Sequence, residues 1–121
     1  MCATLHAVRL AVMPTVAPFE ELRKSPTACL FQGGDEFPGS MFVTEHPRGT
    51  GAALHVHPYP EAFVVLSGSA VFTVGDDAVD VEGGHVVVVP AETPHGFESA
   101  ADEPLRIVSV HPSPRVVQTW L

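Results

Sequence analysis

Basic side chains are scarce: six Lys and Arg stand against fourteen Asp and Glu in 121 residues, for a formal net charge of -8. They form no cluster. A surface so short of positive charge is a poor match for a phosphate backbone or an anionic membrane, so neither is an expected partner. A metal ion is not excluded, because it needs only a local site. Cysteine is nearly missing. Cys2 and Cys29 lie far apart without metal-ligand spacing, which argues against a disulfide scaffold and suits a reducing, cytoplasmic setting. Long apolar runs are missing too. The opening "MCATLHAVRLAVMPTVAP" is apolar but short, broken by prolines, and lacks a basic start and a small-residue cleavage site. It reads as neither signal peptide nor membrane helix, and Met13 offers an alternative start.

Also lacking, beyond residue 30, is any sustained helical period. What is present is 45% hydrophobic residues, 17% charged residues, and 10 Gly and 12 Pro spread along the chain. That composition suits one globular domain, spanning 1–121, with many turns. The best helix candidate is one or two turns over Pro18–Lys24, with Pro in the first turn and acids behind it. The rest reads as short β-rich runs: "TACLFQ", "SMFVTEH", "AALHVH", "EAFVVL", "AVFTV", "AVDV", "HVVVVP", "HGFES" and "LRIVSVH". Strands this short and evenly spaced indicate an all-β sandwich or barrel. "TVGDDAV" is expected to be a hairpin with positive backbone angles at Gly75-Asp76.

Alternation places the side chains that carry chemistry. His55 and His57 share one face of their strand, about 7 Å apart at the backbone from a rise of ~3.3 Å per residue. "PYP" ends that strand, and Glu61 returns on the next with Phe63 and Val65 on its face. A third imidazole, His95, stands in "PAETPHGF". Imidazole and carboxylate donors suit a divalent transition metal. Phe63, Phe72 and Phe97 read as barrel core first, with lining a pocket beside the cluster as the alternative, strongest for Phe63 on the Glu61 face; Val65 is a further pocket-lining candidate. His6, His46 and His111 read as surface or strand-end histidines; for His46 and His111 the alternative is the pocket mouth. His85 is expected to satisfy a turn, Tyr59 and Glu92 to lie on the rim, and Asp76, Asp77, Asp80 and Glu82 to form a solvated face.

These residues resemble the cupin family. Its first motif, G-x5-H-x-H-x3-E-x6-G, matches Gly49, His55, His57, Glu61 and Gly68 at every spacing. The second, G-x5-P-x-G-x2-H-x3-N, matches Gly84, Pro90 and His95, with Glu92 in place of the glycine and Ser99 in place of the asparagine. The motif core runs over 49–99, preceded by N-terminal strands and a short helical turn in residues 1–38. The resemblance implies a double-stranded β-helix, or jelly roll, of two antiparallel sheets. It also implies one divalent metal ion (Fe, Mn, Ni, Cu, Co or Zn) held by His55, His57, Glu61 and His95.

Function is open among three classes at this point. One is a metal-dependent enzyme (oxygenase, isomerase or lyase) acting on a small organic molecule. The second is a metal-containing binding or sensor protein without turnover. The third is a metal-free sugar-nucleotide epimerase-like protein, for which Tyr59 would have to serve as the acid. Val64, Leu66 and Val86–Val89 offer apolar side chains away from the Glu61 face, and Leu5–Met13 and Thr27–Gln32 are possible edge strands. With the resemblance, they imply a two-fold homodimer.

Overall fold

The computed structural model describes residues 13–121. A single helical turn, α1 (Phe19–Leu22), leads into eleven strands. These are β1 (Arg23–Ser25), β2 (Ala28–Gln32), β3 (Ser40–His46), β4 (Gly51–Val56), β5 (Glu61–Ser67) and β6 (Ser69–Val74). They continue as β7 (Asp77–Glu82), β8 (His85–Val89), β9 (His95–Ser99), β10 (Leu105–His111) and β11 (Thr119–Trp120). All nine expected runs are strands. The helix is shorter than expected, because Pro18 is extended and caps it from outside the first turn.

The strands form two antiparallel sheets, ordered β1-β2-β3-β10-β5-β8 and β11-β4-β9-β6-β7. This is the jelly-roll architecture expected from the sequence. Between β6 and β7 only Gly75 and Asp76 intervene, since Val74 pairs with Asp77. Gly75 has φ +59°, while Asp76 has no positive φ, so one residue rather than two takes the left-handed angle, as in a type II′ turn. Gly68, at φ +80° between β5 and β6, is a tighter constraint: a Cβ there would lie 2.7 Å from the Pro104 carbonyl oxygen.

Why these runs become strands is visible in their burial. On β5, Glu61, Phe63 and Val65 are buried while Leu66 is exposed; on β10, Leu105, Ile107, Ser109 and His111 alternate inward. The inward residues meet Ala70, Phe72, Val81 and Val89 in one core, with Val74, Val87 and Phe97 against it. Aromatic rings fasten its upper end: Phe63 meets Phe72 edge-on at 5.1 Å between centroids, and Phe72 stacks on Phe97 at 5.2 Å. The acidic run lies along the edge strand β7, with Asp76, Asp77, Asp80 and Glu82 exposed as expected.

β8 faces two ways. Val89 is buried, whereas Val86 and Val88 are 62% and 64% exposed. They pair with Val64 and Ala62 on β5, beside exposed Leu66, and give this sheet an apolar outer strip. Residues 15–22 and Phe37 cover the opposite end of the same face, over Cys29, Phe31, Met41 and Val43. Thr27–Gln32 supplies β2, second from the sheet edge. Most of the other expected edge strand, Leu5–Met13, lies outside the described residues, as do Cys2 and His6.

Phe72 has no exposed surface, so Phe72→Ala should cost about 3–5 kcal/mol of stability. Val79→Ala, on the exposed face of edge strand β7, should stay within roughly 0.5 kcal/mol. Urea denaturation monitored by circular dichroism measures both; equal losses would contradict this division of core from surface.

Candidate metal centre

β4 and β9 bring the imidazoles together. His55 pairs directly with His95, and β4 carries one extra residue between Ala52 and His55 relative to β9. This irregularity re-aims the strand. Leu54, which simple alternation from Ala52 would turn inward, is 43% exposed, and His55 points inward instead. Gly96 leaves room for the bulge, because a Cβ on it would lie 2.6 Å from the Ala52 carbonyl oxygen. His57 follows just past the end of β4, and Glu61 opens β5 after the Pro58-Tyr59-Pro60 corner.

His55, His57, Glu61 and His95 are all buried, and one potential donor atom from each lies within 4.8 Å of the others. The orientation of the rings is set from behind. Nδ1 of His55 donates to the Ala53 carbonyl at 2.7 Å, His57 to Val117 at 2.8 Å and His95 to Thr93 at 2.9 Å. A ring that donates through Nδ1 presents Nε2 to the interior. Two of these Nε2 atoms, from His57 and His95, lie 2.9 Å from Glu61 Oε1. The His95 contact has hydrogen-bond geometry, but His57 Nε2 does not align and has no partner. A buried, unpaired nitrogen aimed at a carboxylate is costly as an isolated arrangement. It is a suitable one for ligands converging on a cation.

Electrostatics agree. Burial pushes Glu61 up, but the imidazoles of His111, His95 and His57 outweigh it and hold the carboxyl at about 2, so the site carries a carboxylate. Burial pushes His55 and His57 below their ordinary value, which keeps them neutral and able to donate to a metal. For His95 burial also lowers, yet the hydrogen bonds to Glu61 and the Thr93 carbonyl raise it overall. Three imidazoles and one carboxylate of this kind could bind one divalent metal ion.

Other candidates divide. Phe63 and Phe97 line a cavity of about 340 Å³ that opens on His55 and Glu61. Val65 and Phe72 belong to the core cluster instead. His46 lies on the cavity wall, with Nε2 2.8 Å from Thr44 Oγ1, which matches the alternative reading rather than the surface one. His111 requires a correction: it ends β10, but it is only 1% exposed and reaches Glu61 Oε2 at 3.0 Å. His85 binds the Glu82 carbonyl through Nδ1 at 2.7 Å and so satisfies a turn, as expected. Glu92 is exposed at φ +62°, a left-handed angle at the position where the resemblance called for glycine. The turn is therefore kept despite the substitution. Ser99, in place of asparagine, is buried with its hydroxyl unpartnered. Sequence reasoning missed the C-terminal segment entirely. β11 pairs Trp120 with His55, whose rings lie 5.0 Å apart, and Val117 supplies the carbonyl for His57.

His55→Ala or His57→Ala should abolish most metal binding, and Glu61→Gln should weaken it while the fold survives. Lowering the pH should weaken binding in the wild type, since protons compete for the same Nε2 lone pairs. Titration with manganese(II) or zinc(II) at several pH values checks this. Full occupancy in both His57→Ala and Glu61→Gln, or binding that strengthens in acid, would contradict the assignment.

Comparison with known proteins agrees with this geometry. The cupin domain family matches residues 41–111. An uncharacterised protein of Methanocaldococcus jannaschii is 30% identical over 63 residues, covering 51% of this chain and 50% of the relative, so the match spans half the relative's length. A Klebsiella pneumoniae protein with a double-stranded β-helix domain superposes with a TM-score of 0.70 at 20% identity, covering 89% of this chain and 97% of that one. Bacillus subtilis oxalate decarboxylase, a protein with Mn(II) centres, superposes with a TM-score of 0.68 at 22% identity, covering 81% of this chain and 29% of that one. With a double-stranded β-helix, a cluster of three histidines and one glutamate like the metal sites of cupins, and a family match over more than half its length, this chain belongs to the cupin domain family.

Proposed function

We propose that the chain is a metal-dependent enzyme acting on a small organic molecule held beside the cluster. The observation that carries this reading is the 340 Å³ cavity, which opens directly on His55 and Glu61. Its size is at the small end for ligand sites. Its walls are largely apolar, from Phe42, Phe63, Phe97, Ile107 and Trp120, and among the described residues its lining includes no Lys or Arg. Such a chamber suits a compact molecule with an apolar body that is neutral or carries one carboxylate. A dianion would find no cationic side chain among those lining residues. The oxalate chemistry of the structural neighbour is therefore not carried over.

His55, His57, His95 and Glu61 would hold the ion. When bound, it would supply a Lewis-acid or redox centre, which fits an oxygenase, isomerase or lyase. The chain's own contribution is positional. Phe63 and Phe97 flank the cavity and limit water at the cluster. His46 stands on the wall with Nε2 engaged by Thr44, leaving Nδ1 to take or return a proton. Burial pushes its pKa down, so it is unprotonated at pH 7. This imidazole, outside the ligand set, favours an enzyme over a binding or sensor protein. The epimerase-like reading fares worse, because the Tyr59 hydroxyl is taken up by His111 and the Val117 N–H.

The same reading assigns a second copy of the chain to the exposed strip around Leu66, Val86 and Val88, since so apolar a surface is unfavourable in water.

Two measurements test these assignments. Protein loaded with iron(II) or manganese(II) is incubated with a panel of small neutral and monocarboxylate compounds and followed by NMR and oxygen uptake. Turnover should occur, disappear in His57→Ala, and fall at least tenfold in His46→Ala. Retention of a compound without turnover under every metal would make this a binding protein. Light scattering at micromolar concentration should give about twice the 12.8 kDa chain mass, reduced to one chain by Val88→Asp. A wild-type mass near 12.8 kDa would remove the homodimer.

A further inference from the structure

Four imidazoles surround Glu61, but they are not equivalent. Those of His55, His57 and His95 each have Nδ1 against a backbone carbonyl, which can only accept, so Nδ1 carries hydrogen and Nε2 is the nitrogen turned to the cluster; the His95 Nε2 is engaged by Glu61 Oε1 at 2.9 Å and would have to release that contact to ligate. His111 is wired the opposite way. Its Nδ1 lies 2.8 Å from the Tyr59 hydroxyl. That oxygen already receives the Val117 N–H at 3.0 Å, so its own hydrogen is available to donate. Donation from Tyr59 to His111 Nδ1 is the direction that complements the Val117 N–H, and it would place the ring hydrogen on Nε2. That Nε2 reaches Glu61 Oε2 at 3.0 Å, obliquely, while Oε1 is the oxygen shared with His57 and His95.

From this opposed polarity we infer that His111 is a positioning residue and not a fourth imidazole ligand. Its Nε2 lies 3.0 Å from Glu61 Oε2 without full hydrogen-bond alignment; a small rotation would let Nε2–H hold Oε2 and leave Oε1 to the other three nitrogens, with the tautomer kept by Tyr59 and the Val117 N–H. Packing supports the arrangement. The rings of His57 and Tyr59 stack at 5.0 Å and 10°, and His111 stands edge-on to His57 at 4.8 Å. Val117 completes both arms: its carbonyl fixes the ligand His57, and its N–H fixes the donor direction of Tyr59. Val117, a single residue in the segment that follows β10, thus touches both arms of opposite hydrogen-bond polarity. The inference rests on the metal reading above.

The test uses copper(II) alone as probe. Pulsed electron paramagnetic resonance counts the coordinated imidazoles, and competition with a chromophoric chelator gives affinity. The wild type should show three imidazoles. His111→Ala should also show three, with affinity lowered ~10–100-fold, as for loss of a partner that orients a ligand. His111→Gln, whose amide can still donate to Oε2, should recover most of that loss and guards against misfolding. Tyr59→Phe should weaken binding, and Tyr59→Phe/His111→Ala should be no weaker than His111→Ala alone. Loss of one imidazole signal in His111→Ala would make His111 a ligand and overturn the inference. So would unchanged affinity, failure of His111→Gln to recover it, or additive effects in the double variant. A wild type showing no imidazole-coordinated copper would overturn the metal reading, and this inference with it.

Discussion

The site depends on a buried carboxylate. Glu61 is 4% exposed, yet its surroundings hold it ionised. Taking a carboxylate out of water costs several kcal/mol by order of magnitude unless opposite charge and hydrogen bonds compensate. Here the compensation comes from imidazoles on three different strands or strand ends, His57 beside β4, His95 on β9 and His111 on β10. The hydrogen bonds remain incomplete, because the Nε2 atoms of His57 and His111 approach without alignment. A cation among the three other donors is the chemical complement of that arrangement.

The fold exists around this arrangement in a concrete way. Glu61 and His111 come from adjacent strands of one sheet, where Val110 pairs with Ala62 one position away. His55 and His95 come from a direct pair in the other sheet. The cluster therefore bridges the two sheets at one end of the sandwich, and the aromatic core beneath it fixes their separation. His95 lies 5.9 Å from the Phe63 ring, the first member of the Phe63–Phe72–Phe97 group. The bulge in β4 corrects the aim of His55, so local irregularity and site geometry are one feature.

Much of this was legible in the sequence. The spacing of His55, His57 and Glu61 around a proline corner placed the donors, and period-two runs separated by Gly and Pro gave the strands. For His111 the surface or strand-end reading fails and the pocket-mouth alternative fits, and its own strand carries the signal: Leu105, Ile107 and Ser109 share its parity and are buried with it. The C-terminal contribution had no such signal. β11 is a pair of residues, and its role rests on a backbone carbonyl and N–H of Val117, groups that every non-proline residue possesses. The β4 bulge was hidden for a related reason. It depends on how two strands pair across Gly96, not on either strand alone.

The most direct measurement is a crystal structure of the protein grown with zinc(II), with anomalous diffraction to locate the ion. The account requires one peak per chain, about 2.0–2.2 Å from the Nε2 atoms of His55, His57 and His95 and from Glu61 Oε1. His111 should remain on Oε2, outside the coordination sphere. A peak elsewhere, or none at saturating metal, would contradict it.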